Sequence, residues 1–161
     1  MSVVIYPGSF DPFTSGHTRV VRRACRVFDK VVIAVAEMSY KEAMFSLDER
    51  IAFARDAVSG LEKCEIIAYN TLTVELARKH NAAAILRGLR AVSDYEYEAQ
   101  VAAANKHLDD SIETVFMMAD PDLAFVSSSA VKQIAAAGGR ITGLVSPMVE
   151  KAILARYFPG V

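Results

Sequence analysis

Val3-Val4-Ile5-Tyr6-Pro7-Gly8-Ser9-Phe10-Asp11-Pro12-Phe13-Thr14-Ser15-Gly16-His17 decides the fold, because an apolar β-branched run at residues 3–6 stops at a Pro-Gly turn and Gly16-His17 opens a different pattern. The run predicts a short buried strand ending in a turn. From 17 to 28, Val20, Val21, Ala24, Cys25, Val27 and Phe28 recur at helical spacing, while Arg19, Arg22, Arg23 and Arg26 fall mainly on other faces. Residues 31–36 are again a continuous apolar strand. Strands buried on both faces and joined through helices imply a parallel sheet.

The same alternation continues outward. Ser46 and Glu49 have the spacing of a capping box, opening a helix whose end Gly60 marks. Residues 64–69 predict a third strand, 72–80 a short helix and 82–86 a fourth strand. Ser93 and Glu96 repeat the capping-box spacing before a helix to about residue 107, and 112–118 supply the fifth strand. The serines at 127–129 start a helix reaching about 137, Gly138-Gly139 stop it, and Ser146-Pro147 start the last one. With right-handed crossovers, this predicts an α/β fold: a Rossmann-like doubly wound sandwich with a five-stranded parallel sheet and helices on both faces. Ligands bind such folds at the carboxyl ends of the strands. The irregular stretches 37–45, 87–92 and 120–127 all follow strands and so fall on that edge.

At 161 residues, 53% hydrophobic and 23% charged, the chain suits one domain spanning 1–161. Eighteen Lys and Arg against nineteen Asp and Glu leave a net charge near −1, which argues against a long nucleic acid or an anionic membrane as partner. Cys25 and Cys64 lack metal-ligand spacing and read as ordinary buried or half-buried thiols. The first apolar segment reaches Pro7-Gly8 too soon for a secretory signal, and no later run could span a bilayer, so a cytoplasmic protein is expected.

The chemistry concentrates after three strands. Gly16-His17 places a histidine at a helix N-terminus, where free N–H groups and the positive dipole end attract phosphate. The serines at 127–129 open a second such helix, with Lys132 near in sequence to add charge. Arg87-Gly88-Leu89-Arg90 follows the fourth strand as two arginines around a glycine. Taken singly, each has an ordinary reading: a histidine bonded to backbone, capping serines, a solvated arginine pair, and in Asp94-Tyr95-Glu96-Tyr97-Glu98 favourable charges in a first helical turn.

Together they resemble something more specific. Thr14-x-Gly16-His17 after a strand and a glycine turn, with a late serine motif, resembles the nucleotidyltransferase superfamily of small-molecule adenylyl- and cytidylyltransferases. Residues 6–12, 87–92, 94–98 and Phe125-Val126-Ser127-Ser128-Ser129, with Met44 to Arg50 and Asn105-Lys106-His107, resemble the bacterial phosphopantetheine adenylyltransferases over almost the whole chain. The resemblance implies reversible transfer of AMP from ATP to 4'-phosphopantetheine, giving dephospho-coenzyme A and pyrophosphate without a covalent enzyme intermediate. It also implies magnesium carried with ATP rather than in a protein-built metal site, a homohexamer, and coenzyme A as a candidate feedback inhibitor.

Residue by residue, the resemblance implies that His17, Lys41 and Arg90 are catalytic. It assigns Ser9, Phe10, His17, Gly88, Leu89, Arg90, Glu98 and the run Leu123, Ala124, Phe125, Val126, Ser127, Ser128, Ser129 to ATP. Ser9, Lys41, Thr73 and Arg87 fall to the acceptor. Three departures from the family pattern stand out: Ser9 stands for a threonine, Glu42-Ala43 for a lysine and a proline, and Thr73 for an apolar residue. A cytidylyltransferase or a non-catalytic nucleotide-binding module would share the nucleotide motifs but not the combination of Lys41, Arg87 and Arg90.

Overall fold

The computed structural model describes residues 1–38 and 42–160. Five parallel strands, β1 (Val3–Gly8), β2 (Lys30–Ala36), β3 (Cys64–Tyr69), β4 (Ala84–Leu89) and β5 (Glu113–Met118), form one sheet in the order β3-β2-β1-β4-β5. The helices are α1 (Ser15–Val27), α2 (Leu47–Ala57), α3 (Thr73–Lys79), α4 (Val92–Leu108), α5 (Ser128–Ala136) and α6 (Pro147–Tyr157), with a 3₁₀ turn at Pro121–Leu123. The expected doubly wound α/β sheet is the observed one, with two helices after β5.

Alternation along each strand divides the core in two. Val4, Tyr6, Val31, Ile33, Val35 and Leu86 pack on one face with residues of α1, α2, α5 and α6. Val3, Ile5, Val32, Ala34 and Ile85 pack on the other with Val74, Leu76 and Ala77 of α3. The chain leaves β1 toward β2 on one side and returns to β4 on the other. The order therefore reverses between β1 and β4, where a crevice opens at the strands' carboxyl ends.

The capping box at Ser46 is present in both halves: Ser46 Oγ accepts from the Glu49 N–H (3.2 Å), and Glu49 Oε2 accepts from the Ser46 N–H (2.9 Å). The one expected at Ser93 is absent. α4 starts two residues earlier, behind Ala91, and Asp94 accepts the Arg90 N–H (2.9 Å) instead. Arg87, Gly88 and Leu89 also differ from expectation: they are strand, not loop, because β5 pairs alongside them at Phe116, Met117 and Met118. Cys25 and Cys64, 39 residues apart, meet with sulfurs 3.6 Å apart as free, half-buried thiols. Among the described residues no helix is long and apolar enough to cross a membrane.

Candidate active site

A cleft of about 450 Å³ lies over the carboxyl ends of β1 and β4. Its floor is the turn after β1. Phe10 holds a left-handed φ of 47°, uncommon outside glycine, and its ring lies where any Cβ on Gly8 would come within 2.9 Å. Gly8 is therefore required by the approach of that ring. Phe10, Phe13 and Tyr6 surround the His17 ring with centroids 5.1, 5.2 and 6.4 Å away.

His17 occupies the third position of α1 and replaces the usual Glu or Gln of a capping box. The Thr14 N–H donates to its Nδ1 (3.0 Å), and the Thr14 hydroxyl accepts from the His17 N–H (3.4 Å). An Nδ1 that accepts a backbone N–H cannot carry the proton of a neutral ring, so the proton sits on Nε2. The side-chain hydrogen bonds of His17 to described residues run through Nδ1, and His17 lines the cleft.

Burial first, and the Arg90 charge second, pull the His17 pKa from 6.5 down to about 4. The ring is thus a neutral donor through the physiological range. Between pH 6.5 and 4 the unfolded chain takes up a proton that the folded ring refuses. This contribution to stability is therefore full above that window and is lost as pH falls through it. Titration of the ligand-free protein by imidazole NMR is expected to show His17 with a midpoint near 4, not near the ordinary 6.5.

Two helix N-termini share the cleft. α1 has no acidic residue in its first turn, and at its start Ser15 donates its N–H to Leu144 O (2.8 Å) and its hydroxyl to Gly143 O (2.8 Å). Ser127 caps α5 by accepting the Ala130 N–H (3.0 Å), and the Ser128 hydroxyl reaches Pro12 O (2.8 Å). The first-turn N–H groups of Gly16, Ser128 and Ser129 have no acceptor within their helices, the usual opening for an anion.

The charges are paired. Glu98, buried on α4, takes both Arg87 Nε (2.6 Å) and Nη2 (2.8 Å), while Arg87 Nη1 reaches Pro7 O (3.2 Å). Burial opposes the Arg87 charge, but the bond and charge of Glu98 outweigh it and raise the Arg87 pKa. Arg90 is held by Asp94 through its N–H, Nε and Nη2. Burial pushes the Asp94 carboxyl up, yet the Arg90 N–H and charge hold it below its usual range.

Of the residues expected from sequence, Ser9, Phe10, His17, Arg87, Gly88, Leu89, Arg90, Glu98, Leu123, Val126, Ser127, Ser128 and Ser129 line this one cleft. Ala124 and Phe125 do not, and Phe125 points outward, 59% exposed. Thr73, the first residue of α3, lies away from the lining beside Tyr69. Lys41 lies outside the described residues. Lys132 is not among the cleft's lining residues and pairs with Asp11 (3.1 Å). Tyr6, Val20 and Ala119 also line the cleft. Tyr6 belongs to the 6–12 motif, whereas no motif marks Val20 and Ala119, which reach the cleft from α1 and from the end of β5.

The family model described as cytidylyltransferase-like matches residues 5–134. A Thioalkalivibrio sulfidiphilus protein named phosphopantetheine adenylyltransferase is 49% identical over 154 residues, covering 96% of this chain and 97% of that one. Proteins of the same name from Moorella thermoacetica and Geotalea daltonii are 46% and 43% identical over 157 residues, with 98% of each chain covered.

Proposed function

The chain belongs to the phosphopantetheine adenylyltransferase family, and on that premise we propose how its cleft moves the adenylyl group of ATP onto 4'-phosphopantetheine. The enzyme releases pyrophosphate and makes dephospho-coenzyme A, a step of coenzyme A biosynthesis. The acceptor's 4'-phosphate oxygen attacks the α-phosphorus in line as the bond to the β-phosphate oxygen breaks, so no protein nucleophile is needed. Catalysis is then positioning and charge stabilisation.

The observation that carries this reading is the fixed Nε2–H tautomer of His17 beside two open helix N-termini. His17 donates to the phosphate oxygens as negative charge builds between the α-phosphorus and the leaving group. The Ser127 to Ser129 backbone holds the β- and γ-phosphates. Arg90, about 40% exposed, trades part of its bonding to Asp94 for nucleotide oxygens. Arg87, anchored by Glu98, presents Nη1 toward the acceptor side, and Lys41 holds the acceptor phosphate.

Both cleft carboxylates are claimed by arginines, and among the described residues no three His, Cys, Asp or Glu side chains cluster as a metal site. The donor set fits magnesium carried on the nucleotide phosphates with water completing its shell. When bound, the ion neutralises charge on the leaving pyrophosphate. Acceptor-dependent pyrophosphate release with ATP, and little with CTP, is the expected result of a coupled assay; release without acceptor, or equal rates with CTP, contradicts the reading.

A homohexamer in the cytoplasm, with coenzyme A as a feedback ligand, completes the proposal. The support for the oligomer is α4, which buries only Glu98 of seventeen residues and leaves Val92, Tyr95, Tyr97 and Leu108 exposed. Such a face suits a second copy of the chain. Light scattering is expected to give six times the 17.5 kDa chain mass; a monomer at working concentration contradicts it.

A further inference from the structure

Asp11 is 6% exposed and lines no part of the cleft, yet three donors from two segments converge on its carboxylate. Oδ1 accepts the Phe45 N–H (3.0 Å), while Oδ2 accepts the Met44 N–H (2.9 Å) and Lys132 Nζ from α5 (3.1 Å). Arg50, 3% exposed, holds the carbonyl of the same residue and its surroundings. Its Nε donates to Phe45 O (3.2 Å), and its Nη1 donates to Ser9 O (2.7 Å) and Ala36 O (2.9 Å). Phe45 is thus gripped through its N–H by Asp11 and through its carbonyl by Arg50.

Three donors on one side chain require a group that only accepts. A carboxylate meets all three. An amide of the same shape offers one acceptor oxygen and turns an NH₂ toward a donor, so at least one of the two backbone bonds is lost. This chemistry explains an aspartate here that neither touches the cleft nor serves a helix cap.

The segment fastened this way directly follows Lys41, and the loop it is fastened to carries Ser9 and Phe10. We infer that Asp11 is a positioning residue for the acceptor side of the reaction: it sets the 42–45 segment, which directly follows Lys41 in the chain, against the first turn and α5. The inference rests on the proposed role of Lys41 at the acceptor phosphate.

Asp11→Asn separates positioning from mere stability, because a generally loosened fold would weaken both substrates alike. The expected result is a KM for 4'-phosphopantetheine raised about tenfold, with the Kd for ATP within about twofold. Hydrogen exchange at the Met44 and Phe45 amides should speed up about tenfold or more, while the Ala130 amide at the α5 cap stays unchanged. An unchanged acceptor KM in the folded variant, or equal changes for ATP and acceptor, overturns the inference. If Asp11→Asn does not fold, Lys132→Met decides on the same readouts: about a threefold rise in acceptor KM supports the inference, and no rise overturns it. A wild-type protein that releases no pyrophosphate with 4'-phosphopantetheine overturns the functional reading, and the acceptor-side role with it, whether or not exchange at residues 44–45 responds to the substitution.

Discussion

His17→Ala is expected to lower turnover by on the order of a hundredfold or more while the Kd for ATP moves only a few-fold, as happens when a donor that acts chiefly in the transition state is removed. The geometry makes the expectation specific. The Thr14 N–H occupies Nδ1, the proton is on Nε2, and burial keeps the ring uncharged, so the loss is that of one oriented donor. His17→Gln refines the test. Its carbonyl can still accept the Thr14 N–H, as Gln does in a capping box, while its NH₂ points where Nε2–H did. It should recover part of the lost turnover and most of the cap. Near-normal turnover in folded His17→Ala would remove His17 from the chemistry.

Glu98→Ala is expected to cost about 3 kcal/mol of stability, since it leaves the Arg87 guanidinium, three-quarters enclosed, without either carboxylate oxygen. For a chain of this size that is a fall in Tm of roughly 6–12 °C by calorimetry. Pro7 O, at 3.2 Å from Nη1, compensates little. A shift under about 2 °C would put the pair in the class of surface ion pairs that contribute little. Replacing Arg87 with Met in the same variant removes the stranded charge and should return part of the loss, which distinguishes the buried cation from a packing defect.

Much of this was legible in the chain, and the exceptions share a cause. β1, β2, β3 and the Ser46, Ser127 and Ser146 caps follow from local pattern, because a buried parallel strand and a capped helix each need residues close in sequence. The end of β4 was not legible. Arg87 and Gly88 carry loop preferences, and only pairing with β5 makes them strand. At α4 the Ser-x-x-Glu spacing is overridden by a helix start two residues earlier, where Asp94 reaches back to the Arg90 N–H. The signal at Lys132 was a charge without a direction; Asp11, 121 residues earlier, supplies the direction. The cleft's composition was thus readable, whereas its pairings depend on contacts between segments far apart in sequence.

The loop carrying Ser9, Phe10 and His17 is anchored from far downstream: Ser128 reaches back to Pro12, Gly143 and Leu144 hold Ser15, and Lys132 meets Asp11. During synthesis from the N-terminus, all five strands have been delivered by residue 118, but none of these anchors has. A nascent chain at that stage can pair its sheet without owning a nucleotide cleft. Purified fragments lengthened stepwise past residue 145 should first acquire the cleft there, so in chain order the scaffold is complete before the enzyme is.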